Sequence, residues 1–406
     1  AVDGVVAVAT HEFVIAYVVA DPGVPAFGTK GCTLHVQEVI RALAARGIAV
    51  DLVATRFDSA PPADLPLAAV HRLPTPPRGD TASREQACLA LNQDVREVLE
   101  RTGPYDLVYE RYSLWSHAGM DYALRQGIPG ILEVNAPLVE EQAAYRELVH
   151  RVEAEAVAQR AFGAATMVAV VSEPLVDHVR HYAPHATVRL VPNAINPRRF
   201  GAHSCPVRNP GAEPFVLGFL GHLKPWQGVR ELVEIFARVS EAQSMSRLLV
   251  VGDGPARDEL TEGLRRLGLE DRAELVGKVP HDEVPSWLAR MHVGLAPYPL
   301  LDGFYFSPLK VVEYMAAGVP IVASDLSPLR VFVRTGTNGL LCPPGNTLAA
   351  SCAVEALAMD ETMRWRLGDQ ARRDALAHHT WDQRMAFLLA AAGIVTAPRP
   401  REAAPA

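Results

Sequence analysis

Residues 301–325 have the sequence LDGFYFSPLKVVEYMAAGVPIVASD, and this stretch decides the fold because it combines a loop, a helix and a buried strand. Ser307 and Pro308 predict the helix start, since a hydroxyl can satisfy a free N–H and proline has a helical φ. Gly318, followed two residues later by a proline, predicts the helix end. The apolar residues 321–323 then predict a buried parallel strand. The stretch is therefore typical of an α/β protein.

The start of this predicted helix is a candidate phosphate site. The N–H groups of a first helical turn are unpaired, and together with the helix dipole and Lys310 they attract an anion. Glu313 lies too far into the helix to contact phosphate, but its carboxylate can accept hydrogen bonds from two neighbouring hydroxyls. A ligand that places a diphosphate at the helix start and a ribose one turn further in would be a nucleotide sugar. The sequence therefore predicts a nucleotide sugar as the ligand.

Residues 313–320, EYMAAGVP, resemble the second half of the donor-binding signature of the family 4 glycosyltransferases, which are retaining enzymes of the GT-B fold. That signature contains two glutamates eight positions apart. Glu313 is the second, and Tyr305 stands where the first is expected. The resemblance implies that Glu313 holds the ribose of the donor and that the usual sugar contacts are altered at Tyr305. We hypothesise that Asp302 supplies the missing carboxylate.

Length and composition indicate an ordinary globular protein with two domains. The chain has 406 residues, of which 49% are hydrophobic and 21% charged, enough for two cores. A net charge of -7 argues against nucleic acid as a partner and gives no attraction to anionic lipid. The five cysteines form no CxxC pair, so we expect reduced thiols and a cytoplasmic protein. Residues 1–12 lack the pattern of a signal peptide, and no run has the ~18 apolar residues of a spanning helix.

Predicted strands and helices alternate along both halves of the chain. Apolar runs predict strands at 13–20, 49–54, 105–110, 130–134, 165–172, 188–193, 215–220, 247–251, 273–276, 293–297, 321–323 and 339–343. Helical periodicity predicts helices at 33–46, 81–102, 140–162, 309–317, 349–377 and from 381 to about 392, with further starts at 229 and 327. This alternation predicts two doubly wound, Rossmann-like sheets. The resemblance implies that they face a cleft, as in the GT-B fold.

Polar residues near the predicted ends of first-half strands are acceptor candidates, because open α/β sheets bind ligands at the carboxyl ends of their strands. The acceptor-binding candidates are Lys30, Arg111, Tyr112, His117 and Glu133. Trp115 is expected to pack against the next helix instead. Asn135 stands where many family members carry a histidine that contacts the donor sugar. It is a catalytic candidate that can donate a hydrogen bond but cannot act as an acid or base.

The second half carries most of the donor candidates. His222 and Gln227 stand where the family has the two cations that hold the diphosphate, so Lys310 and Lys224 become the catalytic candidates, with Arg230 a weaker one. The loop at residues 21–32 does not match GxGxxG; it is either a simple turn or, by the resemblance, a loop that lines the donor–acceptor cleft. The donor-binding candidates are Gly28, Gly31, Gly221, His222, Gly252, Gly254, Lys278, Val279, Tyr305, Phe306, Ser307, Pro308, Leu309 and Glu313.

Five segments make up the predicted domain organisation. They are an N-terminal Rossmann-like acceptor domain at 13–200, a linker at 201–214, a C-terminal Rossmann-like donor domain at 215–375, a helix at 376–395 that crosses back to pack on the N-domain, and a disordered tail at 396–406. The linker is predicted from its lack of periodicity and its prolines and glycines. The crossing helix is implied by the resemblance.

The favoured function is a retaining, metal-independent, hexosyltransferase-like glycosyltransferase. It would move a sugar from a UDP- or GDP-sugar to a small soluble acceptor in natural-product or thiol biosynthesis. Neither a metal site nor a cofactor is expected besides the nucleotide sugar, and a homodimer is left open. The alternatives are a nucleotide-sugar epimerase of the GT-B fold and a catalytically silent nucleotide-sugar binding protein. The substitutions at 135 and 305 argue against the epimerase, and the intact Glu313 and Lys310 argue against silence.

Overall fold

The computed structural model describes residues 13–77, 79–201, 205–206, 214–301 and 303–394. The hypothesis on Asp302, the expectation for residues 1–12 and the predicted tail at 396–406 lie outside these residues, as does most of the predicted linker. Internal contacts divide the chain into two units. The first unit runs up to Val170 and includes Leu175–Leu190 and the chain from Met385 onward; the second comprises Val171–Pro174 and Val191–Arg384.

The first unit is built on a seven-stranded parallel sheet with the strand order β3-β2-β1-β4-β5-β6-β7. Its strands are β1 Val14–Val19, β2 Ala49–Ala54, β3 Ala69–Arg72, β4 Leu107–Arg111, β5 Gly130–Val134, β6 Met167–Val170 and β7 Val188–Leu190. The central strands β4 and β5 are buried along their whole length. Helices cover both faces of a parallel sheet and bury its central strands, here together with the charged residues Glu110, Arg111 and Glu133.

The helices of the first unit connect consecutive strands. They are α1 Gly31–Ala44, α2 Thr81–Thr102, α3 Ala118–Gln126, α4 Leu138–Tyr145, α5 Arg151–Ala164 and α6 Pro174–Tyr182. Helix α2 begins where Asp80 accepts a hydrogen bond from the N–H of Ser83, a typical N-cap. The strands β1, β4 and β5 are neighbours in the sheet and run parallel. The loops that follow them therefore lie at the same edge of the sheet.

The second unit repeats the design with a six-stranded parallel sheet in the order β10-β9-β8-β11-β12-β13. The strands are β8 Val216–Leu220, β9 Arg247–Val251, β10 Ala273–Gly277, β11 Val293–Ala296, β12 Ile321–Ser324 and β13 Leu340–Cys342. The helices that follow in chain order are α7 Val229–Ala242, α8 Arg257–Arg266, α9 Val284–Leu288, α10 Leu309–Ala317, α11 Ser327–Arg330, α12 Thr347–Met359, α13 Glu361–His378 and α14 Trp381–Ala391. Two clusters of buried apolar residues form its core. The two doubly wound sheets confirm the predicted fold class.

The prediction of one helix over 140–162 is wrong, because the chain forms α4 and α5 there. At Arg146 the backbone is extended, with φ -145 and ψ -173. The carboxylate of Glu85, on α2, accepts hydrogen bonds from the N–H groups of Val149 and His150 at the start of α5. A partner more than 60 residues away in sequence therefore supplies the acceptor for these N–H groups and favours a new helix start.

The predicted helix over 349–377 is also two helices. Asp360 separates them: its backbone leaves the helical region, and its side chain accepts a hydrogen bond from the N–H of Met363. The last helix, α14, is shared between the units, since residues up to Arg384 group with the second and those from Met385 with the first. Across the described part of the chain, no helix combines the length and the apolar character needed to cross a membrane.

Candidate active site

Helix α10 begins at Leu309 as expected, but the prediction that Ser307 caps it is wrong. Pro308 occupies the N-cap position and makes no capping hydrogen bond. The hydroxyl of Ser307 accepts instead from the backbone N–H of Asn193 at 3.0 Å, and the Asn193 amide Nδ2 donates to the Ser307 carbonyl at 2.8 Å. Among the described residues, the N-cap side chain makes no hydrogen bond to the first turn, so N–H groups of that turn remain available to a ligand.

Lys310 lies in this first turn and is buried, with a 6% exposed surface. Its Nζ is 3.8 Å from the centroid of the Phe219 ring and 5.4 Å from that of Tyr298, and no acceptor in the described part of the chain forms a hydrogen bond with it. Burial lowers the pKa of Lys310 to about 7, although the carboxylate of Glu313 opposes this shift. An ammonium that is enclosed by apolar groups, with no anion to pair with, is costly to bury. Such a group favours the binding of an anionic ligand.

Glu313 lies one helical turn further in and is also buried, with a 7% exposed surface. Its Oε1 is 3.6 Å from Nε2 of His281. Burial raises the pKa of this carboxyl group, against the charges of His281, Arg199 and Lys310. Neither Arg199 nor His281 was predicted as a site residue from the sequence. Their local signals are weak, since Arg199 ends a short 3-10 helix and His281 lies in a turn, both far from Glu313 in sequence.

The glycines of the second unit bring two loops into main-chain contact. A Cβ on Gly252 would lie 1.9 Å from the carbonyl oxygen of Gly221, and one on Gly254 would lie 2.3 Å from that of Leu223. A Cβ on Gly221 would meet the Lys310 side chain at 3.1–3.3 Å. Gly221 and Gly252 both have positive φ, 133 and 138. These glycines are therefore required by the packing of the loops around Lys310, whatever else they contact.

The other donor candidates of the second unit are more peripheral. His222 is exposed and its Nδ1 lies 2.5 Å from the carbonyl of Asp253. Lys224 lies over the Trp226 ring, with its Nζ 4.7 Å from the ring centroid, and Lys278 is exposed. Val279 and Phe306 pack against the apolar core, and the weaker candidate Arg230 is exposed.

Tyr305 directs its ring against its neighbour in sequence. The rings of Tyr305 and Phe306 have centroids 4.3 Å apart, and the Tyr305 carbonyl accepts a hydrogen bond from Oγ of Ser172 at 2.5 Å. Ser172 belongs to the second unit. The backbone before α10 is thus held by groups that are distant in sequence.

The first unit contains a second buried polar cluster at the carboxyl ends of β4 and β5. Glu133, which is 4% exposed, is its centre. Its Oε1 accepts from Arg111 at 2.9 Å and from Nδ2 of Asn135 at 2.5 Å. Its Oε2 accepts from the hydroxyl of Tyr109 at 2.5 Å and lies 2.8 Å from Nε2 of His35. The structure thus brings together three predicted site residues and adds two that the sequence did not indicate.

The electrostatics of this cluster differ from those at Lys310. Burial alone would raise the pKa of Glu133, but its contacts with His35, Arg111 and Tyr109 outweigh burial and lower that pKa to about 2. The carboxylate is therefore ionised at neutral pH and fully hydrogen-bonded. It fixes the side chains of Arg111, His35 and Asn135 at the strand ends.

The remaining first-unit candidates lie outside this cluster. Tyr112 is buried against Phe162, with ring centroids 4.9 Å apart, and Trp115 is buried as expected. His117 pairs with Asp121 at 2.8 Å. The glycine loop contributes an exposed Lys30, 3.8 Å from Asp58.

The two glycines of that loop differ in their conformational needs. Gly28 has a φ of 146, which favours glycine. Gly31 begins helix α1 with open space around it, so the fold itself does not require glycine at this position. Across the described residues, no three His, Cys, Asp or Glu side chains form a group that could hold a metal ion.

Two glycosyltransferase families match the chain in succession. Residues 29–199 match the family described as Glycosyltransferase Family 4, and residues 214–360 match Glycosyl transferases group 1. The two matches fall on the two sheets, and together they identify the chain as a glycosyltransferase.

Several curated relatives are named as glycosyltransferases. The chain is 29% identical to the D-inositol 3-phosphate glycosyltransferase of Stackebrandtia nassauensis, over 89% of the chain and 86% of the relative. It is 28% identical to the 2-deoxystreptamine glucosyltransferase of Streptomyces kanamyceticus, over 64% of the chain and 70% of the relative. A 28% identical alignment with the alpha-D-kanosaminyltransferase of that organism spans only 40% of the relative and 39% of the chain.

Solved structures share the fold. Sucrose-phosphate synthase from Thermosynechococcus elongatus matches with a TM-score of 0.70 and 22% identity, over 93% of this chain and 97% of that one. Anabaena HepE in complex with UDP-glucose matches with a TM-score of 0.65 and 18% identity, over 93% and 99%. At these identities the likeness concerns the fold, and it agrees with the GT-B architecture of two Rossmann-like domains.

Proposed function

Because the chain is a glycosyltransferase of the GT-B type, which transfers a sugar from a nucleotide sugar, we propose that its donor is a UDP- or GDP-sugar and its acceptor a small, hydroxyl-rich soluble molecule. The anomeric configuration is retained in this proposal, in line with the resemblance of residues 313–320 to the retaining family 4 enzymes. The donor binds in the second unit, and groups of the first unit receive the acceptor.

The observation that carries the proposal is the buried, unpartnered ammonium of Lys310 in the first turn of α10. A diphosphate there would receive the Lys310 charge and the N–H groups of the helix start. These donors act in a site of low dielectric, where they stabilise the negative charge that develops on a departing diphosphate. Lys224, which is partly exposed, supplies a second and weaker cation in this proposal.

Glu313 is the ribose contact of the donor in this proposal. Its carboxylate sits one turn beyond Lys310, and a ribose bound there would donate hydrogen bonds from its two hydroxyls. His281, at 3.6 Å, and Arg199 keep the carboxyl group in a polar setting despite its burial. A desolvated carboxylate with few partners binds hydroxyls well, because each new hydrogen bond replaces lost hydration.

The cluster around Glu133 is the proposed acceptor side. Arg111, His35 and Asn135 are fixed there by one carboxylate, and side chains held in this way bind a polar molecule with little loss of conformational freedom. Asn135 is the group we assign to a sugar or acceptor hydroxyl. In this mechanism the enzyme orients the two substrates, and the leaving phosphate takes the proton of the acceptor hydroxyl.

The acceptor class is supported by the names of the relatives. One relative is named for D-inositol 3-phosphate and another for 2-deoxystreptamine. Both of these molecules are small hydroxylated rings, and we propose an acceptor of the same general kind. The substitutions at His222 and Gln227 keep a catalytically silent nucleotide-sugar binding protein as the second candidate.

Calorimetric titration with UDP, GDP, ADP and dTDP tests the proposal. Wild-type protein should bind one of them with a micromolar dissociation constant, and Glu313→Ala should lose that binding, whereas the exposed control Glu274→Ala should keep it. Release of the nucleotide from its sugar donor, stimulated by D-inositol 3-phosphate or 2-deoxystreptamine, then separates an enzyme from a silent binder. If none of the four nucleotides binds, the donor site is wrongly assigned.

A further inference from the structure

Among the hydrogen bonds of residues 305–307, directly before α10, three are donated by distant parts of the second unit. Oγ of Ser172 donates to the Tyr305 carbonyl at 2.5 Å. The N–H and Nδ2 groups of Asn193 donate to the Oγ and carbonyl of Ser307 at 3.0 and 2.8 Å. We call Ser172 and Asn193 the loop anchors. They are 133 and 114 residues away in sequence from their acceptors.

This segment has no regular structure of its own. Between β11, which ends at Ala296, and α10, which begins at Leu309, the described residues contain neither helix nor strand. The loop anchors therefore provide fixed side-chain and backbone contacts immediately before the helix. Lys310 follows Ser307 by only three positions, so the path of residues 305–307 determines where the Lys310 ammonium and the Tyr305 side chain lie.

We propose that Ser172 and Asn193 are positioning residues for the diphosphate-sugar end of the donor. This inference rests on the donor site proposed above. The loop anchors bind the backbone of residues 305–307, not the second helical turn, where Glu313 is buried. Their loss should consequently impair sugar transfer more than nucleoside binding, because a small displacement of a reacting group lowers the rate steeply while most binding contacts persist.

Kinetics of single and double variants test this role. Ser172→Ala and Asn193→Ala should each lower kcat about tenfold, as expected for a lost hydrogen bond that also displaces the reacting groups. The affinity for UDP should fall by less than kcat does, because the proposed diphosphate contact at Lys310 is displaced while the proposed ribose contact at Glu313 is untouched. The double variant should hydrolyse a larger fraction of the donor without transfer. Ser172→Thr keeps the hydroxyl and should recover most of the lost kcat.

A matched control is Ser351→Ala. The Ser351 hydroxyl donates to a carbonyl inside α12, that of Leu348, so its loss removes a similar bond away from the loop and should leave kcat unchanged. A double anchor variant with wild-type kcat would overturn the positioning role. So would equal losses of UDP affinity and kcat, which indicate a merely structural contribution. A wild-type protein that binds no nucleoside diphosphate would overturn the proposed donor site, and this role with it.

Discussion

Each of the two units buries a charged side chain near its proposed ligand, but the two side chains differ in their hydrogen-bond partners. Glu133 of the first unit is contacted by four polar side chains. Lys310 of the second unit has no hydrogen-bond partner among the residues that the structure describes. Both pKa values are lowered, to about 2 and about 7, but the first shift favours the charged form and the second disfavours it. A satisfied charge organises its surroundings, whereas an unsatisfied one is ready for a ligand.

The difference has an energetic consequence. A buried charge with a full set of partners contributes to stability only through the pairs it forms, and removing one member leaves the others uncompensated. A buried charge without partners destabilises the fold until an anion arrives. Variants at the two sites should therefore have opposite effects on stability, and only those near Lys310 should directly affect donor binding.

The largest effect is expected at Glu133. Glu133→Gln removes the negative charge that Arg111 and His35 share, so the free energy of unfolding should fall by about 3–5 kcal/mol, as for other broken buried ion pairs. Urea denaturation at pH 7 measures this change. Glu274→Gln, which affects an exposed pair with Arg290, is the control. A loss below about 1 kcal/mol, the upper range for surface pairs, would mean that Glu133 does not organise the cluster.

The next largest effect is expected at Lys310. Lys310→Met keeps the volume and removes the charge, so UDP affinity should fall roughly 10–100-fold, the value of one or two charge-assisted hydrogen bonds. The same variant should be as stable as wild type or more stable, because the buried charge is gone. Calorimetric titration and thermal denaturation measure the two effects. Unchanged UDP affinity would remove Lys310 from the donor site.

Stability should depend on pH through Lys310. The pKa of this side chain is lowered from 10.5 to about 7 in the folded protein, so between these values the unfolded chain binds a proton that the folded chain does not. The free energy of unfolding should therefore rise with pH across this window, by up to about 1.4 kcal/mol per pH unit. This rise should be missing from Lys310→Met, measured by urea denaturation at pH 7, 8 and 9. If the unfolding free energies of wild type and Lys310→Met changed with pH in parallel, this prediction would be contradicted.

The smallest effect is expected at Lys224. Its ammonium lies over Trp226 and is partly exposed, so Lys224→Met should lower UDP affinity by less than about fivefold, as for other solvated charges. The same titration of Lys310→Met allows the loss of UDP affinity to be compared between a buried and a partly exposed cation. A loss at Lys224 that equals the loss at Lys310 would show that the two lysines act as a pair.

Local patterns in the sequence predicted the architecture well. The predicted bounds of β2, β5, β9 and α2 agree with the structure, because apolar runs and an N-cap depend only on residues that are neighbours in sequence. Gly318 ends α10 in the left-handed region with a φ of 73, as expected. Asp360 is a capping residue that the sequence contained and the helix prediction overlooked.

Long-range partners could not be predicted in this way. The break between α4 and α5 involves Glu85, and the hydroxyl of Ser307 is engaged by Asn193 rather than by its own helix. The site residues show the same limit. Lys310 and Glu313 could be predicted because they lie on one helix, whereas His281 comes close to Glu313 only in the folded chain. Residues from separate loops carry no shared periodicity, so no local pattern connects them.

Proton uptake on UDP binding tests the central claim most directly. Calorimetric titration at pH 8 in two buffers of different ionisation enthalpy gives the number of protons taken up. If an unpartnered, mostly neutral Lys310 receives the diphosphate, wild-type protein should take up as much as about one proton, because the bound anion raises the pKa of Lys310. Lys310→Met should bind more weakly and take up none. UDP binding without proton uptake, at an affinity that Lys310→Met shares, would contradict the account.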